Sequence, residues 1–128
     1  MSNYPCLIDN LAFAEAPRWH DGELWFSDFF THQVMRVDRD GRAHVVVEVA
    51  NQPSGLGWLP DGRLLVVSML DRKLMRLDPT GLVEVADLSQ LADFHCNDMV
   101  VDAKGRAYVG NFGFDIFAKP VVPKPTVL

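Results

Sequence analysis

One short segment recurs along this chain, and it constrains the fold more than anything else in the sequence. His20-Asp-Gly-Glu-Leu-Trp-Phe-Ser27 returns as Pro60-Asp-Gly-Arg-Leu-Leu-Val-Val-Ser68, and again as Ala103-Lys-Gly-Arg-Ala-Tyr-Val-Gly110. The turn glycines Gly22, Gly62 and Gly105 stand 40 and 43 residues apart. A second element keeps the same phase: Gln33-Val-Met-Arg-Val-Asp-Arg-Asp-Gly41 matches Lys73-Leu-Met-Arg-Leu-Asp-Pro-Thr-Gly81 at a step of 40. Each Asp-Gly or Lys-Gly pair supplies the positive φ that a tight hairpin turn needs. The runs between them are short and rich in Val, Leu, Trp and Phe, as strands are. The pattern predicts strands near 13–19, 23–28, 33–38 and 43–49 in the first unit, and near 54–59, 63–69, 73–78 and 82–87 in the second. Only 87–93, with Ser89 near its start, reads as a helical turn.

Four short antiparallel strands repeating every 40 or so residues are the signature of β-propeller blades. A β-sandwich also spaces its strands evenly, but has no reason to repeat a two-hairpin pattern in register. The expected fold is therefore all-β: about three blades of four-stranded antiparallel sheet, over 12–50, 51–93 and an incomplete 94–128. Closed propellers have about four to eight blades. Three leave a blade face open at each end, and two copies pairing through those open edges is one way to cover them. The Pro-rich stretch Lys119-Pro-Val-Val-Pro-Lys-Pro125 reads as a loop rather than a polyproline ligand.

Composition narrows the partners. The chain of 128 residues is 48% hydrophobic and 23% charged, as in an ordered globular domain. A net charge of -5 with scattered basic residues argues against a nucleic-acid partner. No apolar window approaches the roughly 20 residues that span a bilayer, so no membrane partner is expected. Met1-Ser-Asn-Tyr-Pro5 lacks the charged and apolar regions of a secretory signal. Two cysteines, Cys6 and Cys96, are too few for a disulfide framework, and the expected setting is a reducing cytoplasm.

The repeat also locates a candidate site. The first strand of every blade lines a propeller's channel, so equivalent positions there converge on the axis. Glu15 lies seven residues before Gly22, whereas Ser54 and Asn97 lie eight before Gly62 and Gly105. With the first turn one residue shorter, the three are counterparts that ring one mouth of the channel. Glu and Asn present hard oxygens, suited to Ca²⁺, Mg²⁺ or Mn²⁺, or to a mixed zinc site.

Phe13-Ala-Glu-Ala-Pro-Arg-Trp19, Asn51-Gln-Pro-Ser-Gly-Leu-Gly-Trp58 and His95-Cys-Asn-Asp-Met-Val-Val-Asp102 resemble the gluconolactonase, regucalcin and luciferin-regenerating-enzyme family. The likeness runs from about Cys6 to at least Phe114 in order and spacing. It implies a six-bladed propeller with one divalent metal in the channel, Ca²⁺ first among the candidates, that hydrolyses sugar lactones or related esters. On that resemblance Glu15 matches the acidic metal ligand of the Glu-x-Pro-x-Trp motif. Asn97 matches the channel Asn that contacts metal-bound substrate or ligates the metal. His95 falls where some relatives place a substrate-gripping Arg, and Ser54 stands at the channel mouth beside them as a substrate contact. Two further family ligands have no counterpart in this chain: an Asn on a later blade, and on the blade after it an Asp that serves as general base.

Other chemistry finds less support. His95 and Cys96 adjoin on a strand and point to opposite faces, unlike a Cys-His nucleophile pair. No Gly-x-Ser-x-Gly elbow is present. The cysteines and four histidines lack zinc-site spacing. The reading from another class is a non-catalytic propeller that serves as a scaffold or calcium-binding module, because fold alone does not fix function.

Overall fold

Asp-Gly chemistry sets the strand ends. At Asp21 and Gly22 φ is +50° and +80°, the two left-handed conformations that a two-residue hairpin loop requires. There β1 (Ala14–His20) reverses into β2 (Glu23–Asp28), with His20 paired to Glu23. β3 (Gln33–Val37) and β4 (Ala43–Glu48) complete an antiparallel sheet in the order β1-β2-β3-β4. The second repeat gives β5 (Pro53–Trp58), β6 (Leu64–Ser68), β7 (Lys73–Asp78) and β8 (Gly81–Asp87), again in sequence order, and β9 (Cys96–Val101) pairs with β10 (Ala107–Asn111) as a third sheet. The computed structural model describes residues 3–126. Residues 1–2, at the start that was read for a signal, and 127–128, at the end of the third unit, lie outside the described residues.

The architecture is the expected one, all-β and a partial propeller. The expected strands agree with those observed to within about a residue. The segment 87–93 makes the single turn expected of it: Leu88 O accepts the N–H groups of Leu91 and Ala92 (2.9 and 2.8 Å), and Ala92 is buried in the core. One feature differs: a single 3-10 turn, Phe29–Thr31, joins β2 to β3.

Packing explains why the sheets stack. Every residue of β6 is buried, the pattern of a strand covered on both faces. Its alternate side chains divide between two cores. Leu64 and Val66 meet Ala16, Val34 and Val49 of the first sheet and its flank, whereas Leu65 and Val67 meet Cys96 and Met99 of the third. The second sheet is thus the shared wall of both clusters. Beyond the third sheet Val100 and Tyr108 remain exposed, at 61% and 52%.

The three inner strands approach closely. A Cβ at Gly55 would lie 2.5 Å from the Met99 N and 2.8 Å from the Asp98 carbonyl carbon, so β5 has a bare backbone where β9 crosses it. At the turn residue Gly62 a Cβ would meet nothing, and only its φ of +86° resists substitution. Gly55→Ala is therefore expected to cost about 1–3 kcal/mol as backbone overpacking, and Gly62→Ala about 1 kcal/mol through left-handed strain. Urea unfolding of the two variants checks the order, and it would be wrong if Gly62→Ala were the worse.

Candidate functional site

Each inner strand is irregular at one level. Ala14 pairs with Asp28, Pro53 with Ser68 and Cys96 with Asn111, and the next residues are Glu15, Ser54 and Asn97. The strand register therefore makes these three positional counterparts, as their spacing from the turn glycines predicts. Just beyond, the ladder slips in all three sheets, so that two inner-strand residues oppose one on the neighbour. Such bulges re-aim side chains and are favoured next to functional sites. In β1 the slip is accompanied by Ala16 at φ +51°, a conformation that costs a residue with a Cβ about 1–2 kcal/mol and that is held by its burial among Val34, Leu56 and Val66.

The irregularities bring the three side chains together. The buried Ser54 hydroxyl donates to Asn97 Oδ1 at 3.1 Å and favours the charged form of the neighbouring Glu15 carboxylate. The Ser27 hydroxyl donates to the Ser54 carbonyl at 2.6 Å and fixes β5 against β2. A serine hydroxyl carries one proton, so it serves the Glu15 and Asn97 oxygens one at a time. Glu15 Oε1 is buried with no hydrogen-bond partner, a costly state for a carboxylate oxygen. Burial pushes the Glu15 carboxyl above its ordinary value; the Ser54 bond opposes the rise and the like charge of Asp98 adds to it.

Arg18, on the same strand, reaches over β5 to the third sheet. Its Nη2 donates to Asp98 Oδ1 at 2.6 Å and to the Met99 carbonyl at 2.8 Å. This tie, together with the Ser54–Asn97 bond, holds β1, β5 and β9 at one level.

The cavity above is about 280 Å³ in volume, and Glu15 and Asn97 open into it. Its wall is aromatic: Phe13, Phe29, Phe30, Phe112 and Phe117 line it. Four of these rings form a contact chain, Phe29 lying 5.9 Å from Phe13, 4.7 Å from Phe30 and 6.3 Å from Phe117 between centroids. Ser54 is buried beneath the two polar groups. His95 lies to one side of the cavity-lining residues, its ring 4.1 Å from Phe94 and 6.1 Å from Phe117. Its Nδ1 is buried without a partner, and burial lowers its pKa against the opposing pull of Asp115.

The sequence reading missed two features. Asp28, only 2% exposed, accepts the N–H groups of Ala12 and Phe13 at 3.1 and 2.7 Å and so steers the chain into β1 just ahead of Glu15. An acid that closes the apolar run Leu24-Trp-Phe-Ser-Asp28 was the available signal. The aromatic collar had none, because its members come from the entry to β1, the β2–β3 link and the segment after β10.

As a metal site the donors fit in part. One unpartnered buried carboxylate oxygen and one amide oxygen are hard donors, yet a Ca²⁺ shell takes six to eight. Among the described residues, no group of three His, Cys, Asp or Glu side chains is placed to hold a metal ion. No helix among them is long and apolar enough to cross a membrane.

The sheets are blades of a partial propeller whose first strands bring one polar cluster together. The chain belongs to the SMP-30/gluconolactonase/LRE-like family, whose model matches residues 13–123. Among solved structures it is similar to a gluconolactonase from Xanthomonas campestris, with a TM-score of 0.75 at 20% identity over 95% of this chain and 43% of that one. It also resembles virginiamycin B lyase from Staphylococcus aureus, with a TM-score of 0.63 at 13% identity over 77% of this chain and 34% of that one. A putative gluconolactonase aligns with a TM-score of 0.58 at 22% identity, over 75% of this chain and 40% of that one. The chain thus spans less than half the length of each of these three proteins. No curated protein matches it.

The raised Glu15 pKa has a definite sign. A carboxyl whose folded pKa exceeds its ordinary 4.5 favours the fold while protonated, and that contribution is lost as the pH rises from about 4.5 through the folded value. Glu15→Gln should remove this loss. The gap in urea midpoint between variant and parent is expected to widen in the variant's favour as pH rises from 4 towards neutrality; a pH-independent gap would refute it.

Proposed function

We propose that this chain is the N-terminal portion of a metal-dependent lactone hydrolase of gluconolactonase type. The observation that carries the reading is the buried, unpartnered Glu15 oxygen beside Asn97 at the floor of an open cavity. A carboxylate held there without a partner is costly unless a cation or ligand meets it. Glu15 and Asn97 would hold the metal, with Ca²⁺ first and Mn²⁺, Mg²⁺ and Zn²⁺ as alternatives, and the remaining donors would come from further blades and water. A divalent cation bound there supplies Lewis-acid polarisation of the lactone carbonyl.

This chain's own residues do the rest. Ser54 holds the two donors level, and its hydroxyl is free to turn to whichever oxygen a bound cation leaves. The Arg18–Asp98 ion pair engages Asp98, whose like charge raises the Glu15 pKa and which would otherwise compete for a cation. His95 lies beside the Phe117 ring, 6.1 Å away between centroids, where it can contact a substrate that reaches past the collar. Family membership and the gluconolactonase-like neighbours support a lactone as the small-molecule substrate.

The test is turnover of a lactone panel by a propeller that carries this chain, with each divalent metal in turn. Metal-dependent hydrolysis is expected, cut on the order of 100-fold by Glu15→Gln. The reading fails if no lactone is hydrolysed with any metal, or if Glu15→Gln keeps the parent rate.

A further inference from the structure

A second cavity lies at the far end of β1 and β5 from Glu15 and Ser54, and this chain supplies both of its walls. It sits between the first and second sheets, each with its four strands in place, and is about 450 Å³ in volume. That size is within the range of small-ligand pockets, about 300–1,000 Å³. His20 and Trp58, the last residues of β1 and β5, stack across the gap with centroids 3.8 Å apart and planes at 12°. Trp25 stands nearly perpendicular to both rings, 5.9 Å from His20 and 5.4 Å from Trp58 between centroids. Its Nε1 donates to the His20 carbonyl at 3.2 Å and pins the corner.

Asp21, Arg63 and Asp78 line the same cavity, and two of them are already held in place. Arg63 is paired with Asp61 at 2.6 Å and with Asp78 at 3.4 Å, and Arg76 is paired with Asp78 at 2.7 Å. A guanidinium has five N–H groups and a carboxylate about four lone-pair positions, so Arg63 keeps donors and Asp78 an acceptor beyond these bonds. The Asp21 carboxylate is 86% exposed, with His20 Nε2 3.3 Å away. Fixed donors and acceptors thus edge an aromatic corner. A sugar ring uses both: its C–H face packs on an aromatic ring, and each hydroxyl both donates and accepts at the ring edge. A wholly apolar ligand would strip water from the charged groups and give nothing back. A cation would meet Arg63 and also Arg36, whose guanidinium already lies 5.9 Å from the centre of the Trp25 ring, while an anion would meet Asp21 and Asp78. Either sign of charge faces its like, and a neutral ligand faces neither penalty.

We infer that this groove is a binding site for a neutral saccharide, its ring face on the Trp25–Trp58 corner and its hydroxyls on Asp21, Arg63 and Asp78. The site is separate from the Glu15 cavity and independent of what is turned over there.

The experiment is titration of this chain, labelled with ¹⁵N, with cellobiose, maltose and choline in turn, followed through the indole N–H signals of its three tryptophans. A disaccharide is expected to shift the Trp25 and Trp58 signals saturably and to move Trp19, which is outside the groove, least. Asp21→Gly, at a φ of +50° that glycine adopts freely, and Arg63→Met should each raise the disaccharide Kd about tenfold. Circular dichroism checks that both variants keep their strands. No Trp25 or Trp58 shift with either sugar would overturn the inference, as would a Kd unchanged in both folded variants. Choline binding as tightly as the sugars would make the groove a cation site and overturn it on the parent chain alone. Sugar binding seen by calorimetry without the two indole shifts would put the ligand elsewhere, with the same result.

Discussion

The structure depends on one strand being buried from both sides. β6 sends Leu64 and Val66 into one core and Leu65 and Val67 into the other, so neither cluster can loosen without exposing the second sheet. At about 25 cal/mol per Å² of apolar surface, no single sheet of four short strands buries enough by itself. The blades stand because each face of the middle one is shared. This is the logic of repeat architectures, in which every unit contributes half of each interface.

The polar cluster is a by-product of how those sheets are spaced. Bare glycine backbone in β5 lets β9 come close enough for the Ser54 hydroxyl to reach Asn97. The ladder slips at this level then turn Glu15, Ser54 and Asn97 towards one another. The fold pays for that convergence twice, in the left-handed Ala16 and in a carboxylate oxygen left dry. Strain and unmet polarity concentrated in one place set this level apart from the packed core around it.

The repeat made most of this legible in advance. Positive-φ turn residues and β-rich runs are local signals, so strand positions and the equivalence of Glu15, Ser54 and Asn97 followed from counting. Two things did not. Asp28 looked like the end of a strand because its partners, the Ala12 and Phe13 N–H groups, depend on how the chain approaches β1. The collar was invisible because phenylalanines 13, 29, 30, 112 and 117 share no period; only the closing of the blades gathers them.

The tie from Arg18 to Asp98 spans 80 residues of chain, and the bond from Ser54 to Asn97 spans 43, whereas each hairpin closes over a handful. Loops that long cost the most entropy to close, and contacts of high sequence separation form slowly. Hairpins can therefore zip within each sheet while the polar cluster is still in pieces, and the cluster assembles only when three sheets have docked. The integrity of the site in this sense reports that all three sheets have docked.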